Sequence, residues 1–598
     1  MLGLIAENLA PIMFLALIGF LLLGYPVAFS LAAVGLIFFV VGVELAPYSE
    51  GVINLSWPLL YTLPERIFGV MTNDTLLAIP FFAFMGLILE RSGMAEDLLE
   101  TVGQLFGTMR GGLAYAVIFV GALLAATTGV VAASVISMGL ISLPIMLRYG
   151  YDARFATGTI AASGTLAQII PPSLVLIVLA DQLGRSVGDM YTGALVPGLM
   201  LAGFYAVYAF FVSAIWKDAA PGLPPEAIIH REPDGSRGYP SLVALTAICG
   251  TIAWLHMRRT TYAGGDFIIL TLALAVCLAI FVASLNWLSR RLHGPRLLSA
   301  LAEQVAFVMV PPLLLIFLVL GTIFIGVATP TEGGAMGAVG AMLLALGKRL
   351  SDGNPGRFSF DIVRSAAQAT AKLSAFVMFI LIGARIFSLT FYGVNGHLWV
   401  EHLLVSLPGG EVGFLIFVNV LVFFLAFFLD FFELAFIIVP LLAPVAHTLG
   451  IDLIWFGVIL AVNMQTSFMH PPFGFALFYL RSVAPRTSYI DKVTKRAMPP
   501  VTSGQIYWGA VPFVIIQLIM VGLLIAFPGL VRHDSLPTPD VQRSAAGDGA
   551  TPSFKNRGFS LSPYPPAIPG APPPIDTGPG APTLDMSVPP AIVRPGAQ

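Results

Sequence analysis

The stretch Ala161-Ala-Ser-Gly-Thr-Leu-Ala-Gln-Ile-Ile-Pro-Pro-Ser173 decides how the rest of the chain is read. It lies in the charge-free run Phe155–Ala180, which has the composition of a membrane helix. Pro171 and Pro172 remove two backbone donors and crowd the turn before them. The residue before each proline avoids helical angles, and Gly164 adds slack. A helix interrupted in this way leaves carbonyls unpaired at membrane depth, where only a neighbouring side chain, water or an ion can satisfy them. A second stretch, Met464-Gln-Thr-Ser-Phe-Met-His-Pro-Pro-Phe-Gly474, is broken by the same pair of prolines 300 residues later.

At that offset other residues coincide without gaps. Pro144 meets Pro444, Gly150 meets Gly450, Asp152 meets Asp452 and Ala161 meets Ala461. Most of these are Pro, Gly or Asp, which fix backbone shape, so the coincidence outweighs a chance alignment of turn residues. Two halves built alike are a mark of secondary transporters.

Upstream of the first break, Gly111–Leu147 holds 37 uncharged residues. As one helix it would rise ~55 Å against a hydrocarbon core of ~30 Å. Its middle, Ala125 to Ser134, is small and hydroxylated, which suits a hairpin that enters the membrane and turns back. Two plain helices packed through small residues are the alternative. The second hairpin candidate, about 412–449, centres on Phe427-Phe-Leu-Asp-Phe-Phe-Glu433. Asp430 and Glu433 share a face if that segment is helical, and they either bind a cation or hold the hairpin by hydrogen bonds. Arg385, in the apolar segment Ser374–Leu389, pairs either a substrate carboxylate or Asp430 or Glu433; the internal pair is the favoured expectation. His470 is either a polar substrate contact or a satisfied residue of the helix break, the latter favoured.

The whole composition agrees. Of 598 residues, 57% are hydrophobic and only 10% charged, too little polar surface to coat a soluble body. A net charge of −2 gives no general attraction to nucleic acid. Cys249 and Cys277 cannot build a disulfide framework or a four-ligand zinc site. The apolar runs predict an all-α polytopic membrane protein of about 12–16 segments. Asn8–Val43 reads as membrane helix broken at Gly24-Tyr25-Pro26, and not as a cleaved signal, because Glu7 is the only charge before it.

Four zones follow. Residues 1–216 form a first membrane repeat, with its hairpin at about 111–147 and its broken helix at about 155–180. Residues 217–304 are an insertion of polar loops and an extra helical pair. Residues 305–531 form a second repeat, with its broken helix at about 453–480. Residues 532–598 hold 15 of the 45 prolines and cannot bury a core, so a disordered tail is expected. Lys/Arg counts in the middle loops leave membrane orientation open.

No Gly-x-x-x-x-Gly-Lys-Ser/Thr loop is present to hold ATP and no His-Glu-x-x-His to hold a catalytic metal. No catalytic residues are expected, and transport should run on an ion gradient. A channel would need a continuous polar lining, and a membrane-embedded enzyme would need paired acids or a nucleophile with its base; neither is evident.

Several motifs occur in a fixed order: Leu77-Ala-Ile-Pro-Phe-Phe82, Gly111-Gly-Leu113, Gly150-Tyr-Asp152, Gly164-Thr165 with Ile170-Pro-Pro-Ser173, and Ala328-Thr-Pro-Thr-Glu332. In this the chain resembles the large membrane subunit of tripartite ATP-independent periplasmic (TRAP) transporters, in the subgroup with a longer chain and an extra helical pair, here 241–288. The resemblance covers roughly 1–216 and 305–531. It implies an elevator-type transporter with two inverted repeats, two re-entrant hairpins and two broken helices. It implies Na⁺ as the coupling ion, no other cofactor, and an organic acid as substrate, in the bacterial inner membrane. A small four-helix membrane subunit and a periplasmic substrate-binding protein are the implied partners, with membrane lipid and no nucleic acid. No small subunit appears fused, since residues 1–50 begin directly with the large-subunit pattern.

Carried over by position, the Na⁺ candidates are Thr127, Thr128, Gly129, Gly164, Thr165, Pro171, Asp430, Glu433, Thr466 and Pro471. The substrate candidates are Ser134, Ser163, Ser173, Arg385, Asn463 and His470. Two departures stand against the family pattern. The first hairpin tip, usually Gly-Ser-Ser, reads Thr128-Gly129-Val130-Val131, and His470 replaces the usual Thr before the second Pro-Pro.

Overall fold

Helices dominate because most of the chain is apolar, and a segment that crosses a bilayer must satisfy its own backbone hydrogen bonds. The computed structural model describes residues 2–531 apart from 129–130, 228–237, 263, 293–297, 428, 472–473 and 492. Among these the only strands are the short antiparallel pair Tyr489–Ile490 and Ala497–Met498. Among the described residues nine helices are long and apolar enough to cross a membrane, or eleven if each of two bent helix pairs is one span. One pair, Trp57–Met71 with Asp74–Arg91, bends by 45°; the other, Gly396–Val405 with Gly410–Leu425, bends by 116°. The number falls below 12–16 because several apolar segments form helices too short to cross, such as Leu453–Phe468. The fold is an all-α polytopic membrane fold with bent and broken spans.

The 300-residue repeat appears in three dimensions residue by residue. Ala153–Thr165 is an α-helix, Leu166–Gln168 tightens to a 3₁₀ turn, the chain breaks, and Leu174–Gln182 resumes. Leu453–Gln465, Thr466–Phe468 and Phe475–Val483 repeat this order. Asp152 and Asp452 cap the two first halves, accepting from the N–H groups of Arg154 and Phe155 and from that of Trp455. Before each Asp the chain turns through Gly150 (φ 84°) or Gly450 (φ 76°), left-handed values that favour glycine. The N–H of Tyr151 then bonds to Met146 O and that of Ile451 to Ala446 O, while the glycines bond to Leu147 O and His447 O. Both turns are thus Schellman motifs, which satisfy the carbonyls left over at a helix end.

Around the breaks stand two helix pairs. Gly112–Thr128 packs against Val131–Arg148, and Gly410–Leu425 leads to Phe431–Thr448, which opens with a short α-turn and a π-helical stretch, Leu434–Ile438. Glycines set the close approaches. A Cβ on Gly121 would lie 2.5 Å from Ser163 Cβ, and one on Gly164 would strike Val135. Gly158 and Gly509 bring Ala153–Thr165 against Ser503–Ala526, while Gly457 faces Met190 of Val187–Ile215. Each broken helix therefore leans on the long final helix of the other repeat. The N-terminal helices Leu9–Leu22 and Val27–Leu45 part at Gly24, in the left-handed region, and Pro26, which caps the second helix. Tyr239–Met257 and Gly264–Arg291 pack together and onto Ala300–Phe324, where Arg290 grips Glu303 at 2.7 and 2.8 Å.

Candidate functional site

The two breaks meet in the buried centre. Thr165 and Gln465 are equivalent positions of the repeat, and Gln465 Nε2 donates to Thr165 Oγ1 at 3.1 Å. Both residues are fully buried. Thr165 Oγ1 also donates to Ala162 O at 2.8 Å, and the Tyr205 hydroxyl adjoins it while accepting from Gln517 Nε2 at 2.9 Å. On the second break, Asn463 Nδ2 donates to Asn419 O at 2.7 Å and Asn419 Oδ1 at 3.0 Å, tying the break to the helix Gly410–Leu425. Thr466 Oγ1 turns back to Asn463 O at 2.6 Å.

Buried polar atoms without partners lie on the same two interrupted helices. Ser163 Oγ, Asn463 Oδ1, Gln465 Oε1 and both amide atoms of Gln168 have no hydrogen bond. Buried polar atoms are ordinarily paired, so orphans collected on two interrupted helices mark a place built for something not supplied by side chains. Hydroxyl, amide and carbonyl oxygens are hard donors, of the kind a small desolvated cation takes in place of its water.

The sequence-predicted residues part into several groups. Gly164, Thr165, Ser163, Thr466 and Asn463 lie at the two breaks as just described. Ser134 is buried on Val131–Arg148. Thr127 and Thr128 end the helix Gly112–Thr128, but their side chains, and Gly129 altogether, lie outside the described residues, as do Pro472 and the tail 532–598.

Ser173 and Pro171 serve the first break itself. Ser173 caps Leu174–Gln182, accepting from Leu176 N and donating to Gln168 O. Pro171 faces away, lining an apolar cavity of about 370 Å³ with Ile170, Phe119 and Phe317.

Asp430 and Glu433 form a capping box: Asp430 Oδ1 accepts from Glu433 N, and Glu433 Oε2 from Asp430 N, each at 2.9 Å. Of the two roles open to them, holding the turn by hydrogen bonds is realised.

Two expectations are corrected. Arg385 makes no ion pair with Asp430 or Glu433 among the described residues. Glu433 lines a groove with Phe376, Phe379 and Ile380, whereas Arg385 sits nine residues beyond Phe376, about half a turn around the same helix. It lies instead beside Asp181, Ser388 and His447, on the wall of a cavity of about 460 Å³. His470 is not a satisfied break residue. It is buried, both ring nitrogens lack partners, and it stands with its centroid 4.3 Å from those of Phe423 and Phe427. Pro471 follows it in the turn, half-buried.

Gln168 and Asn419 were missed. An uncharged amide in a charge-free run, two residues short of Ile170-Pro171, was the available signal for Gln168. The Asp-x-x-Glu spacing of a capping box was the signal for the role of Asp430 and Glu433.

Comparison with known proteins agrees with this architecture. The family model described as "Tripartite ATP-independent periplasmic transporter, DctM component" matches residues 14–530. The C4-dicarboxylate TRAP transporter large permease protein DctM of Vibrio cholerae is 26% identical over 503 residues, 82% of this chain and 92% of that protein. The isethionate TRAP transporter permease protein DctMQ of Oleidesulfovibrio alaskensis is 24% identical over 82% of this chain and 62% of its own length. Among solved structures, the YdaH transporter of Alcanivorax borkumensis aligns with a TM-score of 0.47 at 16% identity, over 83% of this chain and 98% of that one.

Proposed function

This chain belongs to the DctM family of TRAP transporter large permeases, a multi-pass protein of the bacterial inner-membrane type, and on that premise we propose that it imports an organic acid coupled to Na⁺. The meeting of Thr165 with Gln465, among unpartnered buried oxygens on two broken helices, carries this reading. A broken helix presents carbonyls and hydroxyls to a cation at no cost in extra backbone exposure. Na⁺ sits at the first break with Ser163, Thr165 and Gln168, and at the second with Asn463, Gln465 and Thr466. The pairing of Asp430 and Glu433 with each other's backbone holds the neighbouring turn in place. The substrate anion takes its place next to the cations, and the two repeats, inverted in the membrane, carry it across as an elevator. A small membrane subunit and a periplasmic binding protein complete the assembly, the latter delivering the acid.

Ion coupling requires that Na⁺ bind one arrangement of the breaks better than another. A ligand held by the folded state alone at about 100 times its dissociation constant stabilises by roughly 2.7 kcal/mol. The test compares thermal melts of the purified protein in NaCl and in choline chloride at equal ionic strength. A saturable rise specific to Na⁺ is expected. Equal melting in both salts, alone and again with the small subunit co-purified, sinks the sodium reading.

A further inference from the structure

We infer that the cavity around Arg385 is a water-filled port that receives the carboxylate of an incoming anion, apart from the two breaks. Arg385 lies eight residues before the end of Phe360–Gly393, roughly 12 Å inside a membrane-spanning helix. A guanidinium at that depth is costly unless it faces water or an opposite charge. Arg385 is exposed, and it makes no ion pair or hydrogen bond among the described residues.

The acid nearest to hand is already occupied. Asp181 shares the cavity wall, but its Oδ1 accepts from Asn73 Nδ2 at 2.6 Å and its Oδ2 from Gln182 Nε2 at 2.7 Å. Each oxygen of the carboxylate thus already accepts from an amide and neither accepts from Arg385, which leaves the guanidinium, with its fork of donors, for an anion from outside. None of the remaining polar groups on the wall, Ser388, Tyr392 and His447, is a carboxylate that could claim the guanidinium. The cavity, about 460 Å³, is large enough for a small organic acid. Its walls come from the long helix of Arg385, the end of the first broken helix at Asp181–Gly184, Phe436 to His447, and Leu453 at the start of the second broken helix. An acid held there touches elements of both repeats before it reaches either break.

This deepens the transport reading, and the test separates the two. The chain has only two cysteines, so Cys249→Ser with Cys277→Ser gives a background without thiols. Ser388→Cys then places a reporter on the cavity wall. Its reaction with a negatively charged sulfonatoethyl methanethiosulfonate is compared with that of the positively charged trimethylammonioethyl reagent, each normalised to free 2-mercaptoethanol. The expected preference for the anionic reagent is about tenfold, the order a focused local charge gives.

Adding Arg385→Gln should abolish the preference, and succinate should slow the anionic reagent only while Arg385 is present. Arg385→Lys should keep part of the preference but lose most of the succinate protection, because an ammonium cannot grip a carboxylate with two parallel bonds. Ala443→Cys, on the opposite wall, serves as a second reporter should Ser388→Cys fold poorly. Equal normalised rates, no reaction with either reagent, or a preference that survives Arg385→Gln overturns the port. Succinate uptake driven by Na⁺ in vesicles, with a binding protein supplied, reads the other claim. Anion preference without ion-driven uptake sinks the transport reading alone, and uptake without preference sinks the port alone.

Discussion

Replacing Gln168 by Met should make the sodium-free protein more stable and its response to sodium weaker. Gln168 is 1% exposed, and neither amide atom has a partner. A buried amide left unpaired costs about 1–3 kcal/mol. Met nearly conserves the volume and removes both orphaned atoms, and volume-conserving swaps cost under about 1.5 kcal/mol. The balance is a net gain of about 1 kcal/mol in choline chloride, an upward shift of about 1–2 °C for a chain of this size. On the proposed reading the same substitution deletes a sodium ligand, so the sodium-induced rise in NaCl should shrink. The assay is a fluorescence melt at one fixed scan rate, since membrane proteins commonly unfold irreversibly and the midpoint then depends on rate. Destabilisation of about 2 kcal/mol or more without sodium would mean that the amide already has its partners. An unchanged sodium response would mean that it is no ligand. Either result refutes the reasoning from orphaned atoms.

Two further outcomes concern the frame around the site. Arg148 grips Asp491 with Nε and Nη2 at 2.9–3.1 Å, and Asp491 Oδ2 also accepts from Thr494 N at 2.7 Å, joining Val131–Arg148 to the loop after the second broken helix. The guanidinium holds this carboxyl well below the usual carboxylate range. A carboxyl depressed in the folded state contributes stability that is complete above its unfolded value, ~3.9, and lost as pH falls through the folded one. Asp491→Asn should cost about 1–3 kcal/mol at pH 7 and flatten the decline in melting temperature below about pH 4, checked by melts from pH 7 to 3. Gly509→Ala should cost about 1–3 kcal/mol by overpacking, because its Cβ would strike Arg154 O and crowd Gly158. Gly522→Ala in the same helix, with nothing within 4 Å of its Cβ, should be neutral or gain about 0.5–1 kcal/mol, and the paired melts decide.

The backbone was legible in the sequence wherever one residue type has one structural use. Gly150 and Gly450 end helices in the left-handed region, Asp152 and Asp452 cap the next ones, and the paired prolines follow each interruption. The site was less legible because its chemistry lies in neutral amides and hydroxyls whose partners are set by folding. Nothing in the local sequence of Gln465 tells that it reaches Thr165, except that both hold one place in the repeat. Arg385 misled for a geometric reason. A lone cation and an acid in apolar segments invite pairing, yet Glu433 lies beside Phe376, half a helical turn around from Arg385, a neighbourhood that only the fold sets. For Asp430 and Glu433 the sequence left cation binding and hairpin hydrogen bonding open, and the Asp-x-x-Glu spacing of a capping box is what the structure shows between them.

The packing also says how the two breaks are coupled. Ala153–Thr165 lies on Ser503–Ala526 through Gly158 and Gly509, and Leu453–Gln465 lies on Val187–Ile215 through Gly457. Val131–Arg148 lies on Phe475–Val483, where Gly139 admits Leu480 and Val483. Each break is therefore enclosed by helices of the opposite repeat, and Gln465 bonds directly to Thr165 between them. Close-packed interiors transmit strain and do not deform continuously, so a cation that tightens one break alters the surroundings of the other. A second group of long helices pairs Val27–Leu45 with Phe360–Gly393 and Asp74–Arg91 with Pro330–Asp352, and it meets the first group where Asp74–Arg91 packs on Gly112–Thr128 and Leu174–Gln182. Arg385 belongs to that second group, whereas Asp181 and His447 belong to the first. On the proposed reading, movement of one group against the other changes the distance from the guanidinium to the opposite wall. The port then binds its anion in one arrangement and loosens it in the other, the differential affinity that alternating access requires.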